Sequence, residues 1–177
     1  MRLFIAINFE KSVREKIQEI SDELKKYSSQ GRFVSQDNLH LTLEFLGEIS
    51  EERIVAIQKV MDKLNFKPFD FRLSKIGYFK RPQGNIYWLG IEDNEVLMNL
   101  QRTIHKLLGE EGFKLEDRPY KPHITLGRKV KLKGSFNYSS LDDRIKDIVI
   151  SVDKIDLMKS ETIKGKLIYS TLYSKNV

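Results

Sequence analysis

Apolar side chains follow two rhythms along this chain, one of strands and one of helices. Leu3-Phe4-Ile5-Ala6-Ile7 is a continuous apolar run, so Arg2 to Asn8 reads as a buried first strand. Val13, Ile17, Ile20 and Leu24 then recur at helical spacing. They predict a helix from about Glu10 to Tyr27, ended by Ser28-Ser29-Gln30-Gly31. Arg32-Phe33-Val34 reads as a short strand and Leu39 to Leu46 as a longer one, closed by Gly47. Ser50 stands where a helix cap belongs, with Glu51 and Glu52 favourably placed against the helix dipole. Ile54, Ile57, Met61 and Leu64 mark that helix's buried face. Phe69 to Phe79 alternates, with Phe69, Phe71 and Leu73 on one side. Arg81 to Asn85 turns, and Ile86 to Ile91 returns as the second arm of a hairpin. Asn94 is placed to cap a third helix whose apolar face is Leu97, Leu100, Ile104 and Leu107, ended by Gly109 and Gly112. A strand from about His123 to Val130 follows Pro119 and Pro122. Ile148 to Leu157 and Lys166 to Tyr173 read as a final strand pair turned at Lys164-Gly165, and Ser139-Ser140 marks the weakest boundary.

Within this order one phrase occurs twice. His40-Leu41-Thr42-Leu43 and His123-Ile124-Thr125-Leu126 share the pattern His, aliphatic, Thr, Leu. In a strand, side chains two apart point the same way. Each phrase therefore presents a His and a Thr on one face and apolar residues on the other. Each phrase strand comes after a helix, and the third helix with the second phrase echoes the first helix with the first phrase. The expectation is a single domain over residues 1–177: a duplicated α+β unit folded into two pseudo-symmetric lobes around a central cleft.

Composition narrows the setting. The chain has 177 residues, 40% hydrophobic and 32% charged, which is a globular mixture. No apolar run approaches the roughly 20 residues of a membrane helix. The first strand is too short for a span and lacks a signal-type cleavage site, so a cytoplasmic protein without membrane association is expected. There is no cysteine, which excludes disulfides, thiol nucleophiles and cysteine-based zinc sites. The net charge of +6 is compatible with a polyanionic partner such as RNA. No heptad pattern forces association, so a monomer is expected.

No phosphate-cradling glycine loop, dinucleotide fingerprint, nucleophile elbow or His-Glu-x-x-His helix is present. Chemistry is thereby concentrated on the two phrases, which hold two of the three histidines. Two imidazoles facing one pocket can divide acid and base work, and Thr42 and Thr125 can donate hydrogen bonds to a phosphoryl oxygen. This scheme needs no metal or cofactor. A metal site at His40 and His123 lacks a signalled third ligand. Arg128, five residues after His123, suits a phosphate. By strict alternation, however, it faces away from His123 unless the strand bends at Gly127. Arg118 and Lys121 read as solvated charge, and His105, between Arg102 and Lys106 without a Thr partner, as a surface residue.

These residues carry a family resemblance. Leu39 to Gly47, Tyr120 to Arg128, the opening strand Arg2 to Ile7 and the ending from Ile155 through Tyr169 are similar to the 2H phosphoesterase superfamily, named for two His-x-Thr/Ser-x motifs. More closely, nearly the whole chain resembles the RNA 2',3'-cyclic phosphodiesterases, also called 2'-5' RNA ligases. The resemblance implies a bilobal α+β fold with two antiparallel sheets flanking a central cleft and helices outside. It implies hydrolysis of RNA 2',3'-cyclic phosphate ends to 2'-phosphates, with an RNA end or a small cyclic nucleotide as substrate. On the matching positions it makes His40 the proton donor to the departing 3' oxygen and His123 the acceptor from water. It likewise makes Thr42, Thr125 and Arg128 phosphate ligands. Phe45 matches an aromatic that stacks on the terminal base, although a core Phe would fit the same position. Gly127 departs from the Ala common in relatives. Two other readings remain: 2'-5' ligation of cyclic-phosphate ends at the same site, and an RNA-end-binding module using exposed aromatics such as Tyr78, Tyr87 and Trp88.

Overall fold

The computed structural model describes all 177 residues. The elements are β1 (Arg2–Asn8), α1 (Lys11–Lys26), β2 (Ser28–Phe33), β3 (His40–Glu48), α2 (Ile54–Lys63), β4 (Phe69–Phe79), β5 (Asn85–Ile91), α3 (Glu95–Glu110), β6 (His123–Leu132), α4 (Asp142–Lys146), β7 (Val149–Val152), β8 (Lys154–Ile163) and β9 (Lys166–Asn176). They form two antiparallel sheets, one ordered β3-β1-β8-β9 and the other β2-β6-β5-β4-β7. The sheets flank a cleft across which β3 and β6 approach each other.

The duplication is visible in the pairing. β1 leads through α1 to β3 and pairs with it; β5 leads through α3 to β6 and pairs with it. On its other side β1 pairs with β8, as β5 does with β4. One apolar core joins Leu3, Ile5 and Ile7 of β1 to Ile17, Ile20 and Leu24 of α1, to Leu97 and Ile104 of α3, and to Leu89 and Ile124 of the second sheet. Burying each such side chain is worth roughly 1.5–3 kcal/mol, so the alternate, polar positions are free to face the cleft. Asn94 caps α3 as its sequence predicts, its side chain accepting from the Leu97 amide at 2.9 Å.

Several local expectations are corrected. Ser28 to Gly31 does not end α1 in a turn; it opens β2, an edge strand on β6. Its glycine serves a close approach, since a Cβ at Gly31 would stand 2.8 Å from the Val130 side chain. Gly47 lies inside β3 at φ 72 rather than closing it. Ser50 makes no side-chain cap; a 3₁₀ turn, Glu51–Arg53, leads into α2. Ile148 to Leu157 is not one strand. Val149–Val152 pairs with β4 and Lys154–Ile163 with β1 and β9, so the chain changes sheets at Asp153. Buried Ile150 and Val152 give way to buried Ile155 and Leu157, a slip of one in the alternation that marks the crossing. The Ser139-Ser140 boundary is a 3₁₀ turn running into α4, anchored by buried Leu141 and Ile145.

Candidate active site

The two phrases open β3 and β6 with the same burial sequence: His half-buried, aliphatic buried, Thr half-buried, Leu buried, next residue buried, then exposed. Two successive buried positions break a period of two, and the pairing shows why. In β3, Glu44 lies opposite Ile5 but Thr42 opposite Ala6, so Leu43 is an extra residue. In β6, Gly127 lies opposite Tyr87 but Thr125 opposite Trp88, so Leu126 is extra. Each phrase therefore ends in a β-bulge, and beyond it side chains change faces. Phe45 and Arg128, each five residues after its histidine, come round to the cleft face. Phe45 is 43% exposed with its ring 6.2 Å from that of Phe4, which rules out a core role. The bend at Gly127 that Arg128 requires is this bulge, and Arg128 is near enough to His40 and His123 for its charge to act on both.

Both imidazoles are fixed in the same way. His40 Nδ1 lies 2.7 Å from the Asn38 carbonyl and His123 Nδ1 lies 2.6 Å from the Lys121 carbonyl, each two residues upstream. A carbonyl only accepts, so in each ring Nδ1 carries a proton and Nε2 is the working nitrogen. His40 Nε2 is 3.0 Å from Thr42 Oγ1; His123 and Thr125 make no corresponding bond. Burial lowers the pKa of His40 below the usual imidazole value, the Asn38 carbonyl pulls it back up, and the charges of Arg128 and His123 push it lower. His123 is lowered by burial too, with the Lys121 carbonyl opposing and Arg128 and Arg118 adding to the depression.

Aromatic rings wall the two histidines. Phe4 and Tyr169 lie 5.0 and 5.2 Å from His40; Phe79 and Trp88 lie 5.2 and 6.2 Å from His123. Trp88 is seated on Gly77, where a Cβ would stand 2.3 Å from the indole. Of the aromatics read as exposed, Tyr78 is, Trp88 is half-buried, and Tyr87 is buried, with its hydroxyl 3.0 Å from that of Tyr138. Beside His40, Asn8 donates to Asp156 at 2.7 Å and Ser174 donates to its other oxygen at 2.5 Å, so this buried carboxylate is fully engaged. No group of three or more His, Asp or Glu side chains is arranged to hold a metal ion.

A support behind β3 has no counterpart in the sequence reading. Glu44, in the first bulge, is 7% exposed and bonded by His105 Nδ1 at 2.8 Å and by Gln101 Nε2 at 3.2 Å, both from α3. Burial raises the Glu44 pKa, and the His105 and Gln101 bonds restrain the rise. The Tyr120 hydroxyl donates to the Thr42 carbonyl at 2.8 Å. His105 is therefore a partner of a buried carboxylate rather than a plain surface residue. The available signal was Gln101 and His105, four apart on one helix face. Arg118 is exposed and paired with Glu116 at 2.5 Å, and Lys121 is exposed, as expected; Arg118 nonetheless contributes to the field at His123.

Residues 9–163 match the family model of the 2'-5' RNA ligase superfamily. A protein of Thermotoga maritima named RNA 2',3'-cyclic phosphodiesterase is 34% identical over 176 residues, covering 98% of this chain and 94% of its own. One of the same name from Methanocaldococcus jannaschii is 34% identical, covering 97% and 92%. Among solved structures, Escherichia coli LigT complexed with 3'-AMP superposes with a TM-score of 0.84 at 27% identity, over 99% of this chain and 97% of that one. No helix is long and apolar enough to cross a membrane.

Proposed function

This chain belongs to the 2'-5' RNA ligase superfamily, and from that premise we propose that it hydrolyses 2',3'-cyclic phosphate ends of RNA to 2'-phosphates. The observation that carries the reading is the pair of tautomerically fixed imidazoles, each offering Nε2 to one cleft. Water attacks phosphorus as His123 Nε2 takes its proton. The bond from phosphorus to the 3' oxygen breaks, and that oxygen takes the proton carried on His40 Nε2. The products are a 2'-phosphate and a 3'-hydroxyl. Thr42 and Thr125 donate to the non-bridging oxygens and Arg128 offsets their charge, stabilisation that grows as charge develops in the transition state. Phe45 offers an exposed ring to the terminal base. In the free protein both histidines are biased towards the neutral form. The negative charge of an arriving phosphodiester favours protonation, so substrate binding itself charges the acid.

The test is incubation with an RNA ending in a 2',3'-cyclic phosphate, in the presence of a chelator, with the regiochemistry of the product determined. The expected product is the 2'-phosphate. His40→Ala and His123→Ala are each expected to lower kcat by roughly 10²–10⁴-fold, the contribution of one placed acid or base, with the circular dichroism spectrum unchanged. Activity that is lost with the chelator and survives both substitutions would overturn the reading.

A further inference from the structure

The carbonyls that orient the two imidazoles are held in different ways. The Asn38 carbonyl, which fixes His40 Nδ1, belongs to a 3₁₀ turn, Gln36–Asn38. That turn is closed by backbone bonds from Asn38 to Ser35 at 2.9 Å and from Leu39 to Gln36 at 3.3 Å. The Asn38 side chain also donates to the Leu167 carbonyl of β9 at 2.9 Å. The Lys121 carbonyl, which fixes His123 Nδ1, has no such turn. From Lys114 to Pro122, between α3 and β6, no residue makes a backbone–backbone hydrogen bond. Phe113 and Leu115 seat the start of this segment on the core, and the Arg118–Glu116 ion pair is internal to it. One hydrogen bond ties the segment to another element: Tyr120 Oη donates to the Thr42 carbonyl of β3 at 2.8 Å.

That bond joins the two phrases. Tyr120 stands three residues before His123, and Thr42 two after His40. Burial and the nearby Glu44 carboxylate push the pKa of the Tyr120 hydroxyl well above the usual phenol range, so it remains a donor wherever imidazoles titrate. Pro119 and Pro122 bracket Tyr120-Lys121. A proline fixes its own φ and disfavours the helical region for the residue before it, so Lys121 has little freedom of its own. Pinning the Tyr120 ring therefore pins the adjacent Lys121 carbonyl, and that carbonyl decides which nitrogen of His123 faces the cleft.

We propose that Tyr120 is a positioning residue for His123: its bond to the Thr42 carbonyl references the ring of one phrase to the strand that carries the other. The two Nε2 atoms thereby keep a fixed relation across the cleft. Tyr120 acts through the Lys121 carbonyl and not on the reacting atoms. The proposal rests on the hydrolytic reading above for its kinetic consequence alone.

Two substitutions test it. Tyr120→Phe keeps the ring and removes the bond; Pro122→Ala keeps the bond and frees the Lys121 backbone. Long-range nitrogen–proton NMR of the native chain and both variants reads the tautomer of each histidine, and the same spectra followed over pH read its titration. In each variant His123 should gain a population protonated on Nε2 instead of Nδ1, while His40 keeps its Nδ1 proton. The His123 midpoint should fall, because the Lys121 carbonyl raises it by more than Arg118, carried on the same segment, lowers it. Arg128 acts on both rings from β6 and is left in place, so the His40 midpoint should stay. On a nucleoside 2',3'-cyclic phosphate kcat should drop roughly two- to tenfold, the bias that one hydrogen bond can give a segment, with KM changed by less than about twofold. An unchanged His123 tautomer in both variants would overturn the proposal. So would equal changes at both histidines together with a lower melting temperature, since Tyr120 would then merely support β3. If His123 responds as expected but the native chain turns over no cyclic phosphate, the hydrolytic reading falls and the positioning role stands. Turnover by the native chain with His123 indifferent to both substitutions does the reverse.

Discussion

Removing the His105 imidazole should destabilise the fold from a point outside the cleft, and by an amount that depends on pH. Glu44 is 7% exposed and has two side-chain donors, His105 at 2.8 Å and Gln101 at 3.2 Å. A hydrogen bond to a charged group contributes about 1.5–3 kcal/mol, and the half-exposed position of His105 places its share at the lower end, about 1.5–2 kcal/mol. At about 2–4 °C per kcal/mol for a chain of this length, His105→Ala should melt roughly 3–8 °C lower at pH 7.5. The sign of the pH dependence follows from Glu44, whose folded pKa is raised, chiefly by burial. A carboxyl group that binds its proton more tightly when folded contributes stability below its unfolded pKa, and that contribution fades as pH rises through the folded value. Deleting His105 removes two influences that hold the Glu44 pKa down, so the fading steepens. The loss should be small near pH 4, where Glu44 is largely protonated, and grow towards neutrality. Urea denaturation of both proteins from pH 4 to 8 measures it, and a cycle with Glu44→Gln isolates the pair, with about 1 kcal/mol of coupling expected. A loss below 0.5 kcal/mol at neutral pH, or one independent of pH, would refute the account of the bulge as a clasped element.

Because burial lowers both histidines, the bell-shaped profile of kcat/KM should peak below pH 6.5, the usual imidazole value. That of kcat should peak higher, since bound phosphate favours protonation; coincident or flat profiles would contradict this. Arg128→Met should raise KM roughly tenfold or more, the worth of a charge-assisted hydrogen bond. It should also move the kcat/KM profile to higher pH, because the lost charge depresses both rings. Gly77→Ala should displace the Trp88 indole, which its Cβ would meet at 2.3 Å. A cost of about 1–3 kcal/mol and a shifted emission maximum are expected, readable without ambiguity because Trp88 is the chain's single tryptophan.

The juxtaposed histidine pair was legible in the sequence because a strand's period of two makes His-x-Thr a statement about one face, and two copies among three histidines are a strong coincidence. The helices were legible for a similar reason, since their apolar spacing survives any tertiary detail. What escaped was set by pairing between distant strands. Leu43 and Leu126 become extra residues only against β1 and β5, so the turn of Phe45 and Arg128 into the cleft is absent from β3 and β6 taken alone. The sheet change at Asp153 leaves one slipped residue as its trace, too small a mark against an otherwise continuous apolar run. His105 resembled a surface residue because its partner, Glu44, is 61 positions away in the chain.

The bulges also bear on how a nearly symmetric site handles an asymmetric reaction. His40 and His123 hold equivalent strand positions, bond equivalent carbonyls and present the same nitrogen. Apart from the His40–Thr42 bond, which His123 and Thr125 lack, the equivalence ends where each strand bulges. At the fifth residue after the histidine, one repeat delivers a cation and the other an exposed aromatic ring. The residue before it is a clasped Glu44 in one repeat and a Gly127 in the other, where a Cβ would stand 3.0 Å from Val130 and 3.2 Å from Phe33. On the proposed reaction, Arg128 attracts the phosphate while Phe45 offers a face only a base can use. A nucleotide can therefore satisfy both in one orientation and neither in the reverse. Orientation then decides which imidazole meets the 3' oxygen and which meets water, and the duplicated phrase needs no difference between its histidines to give one product.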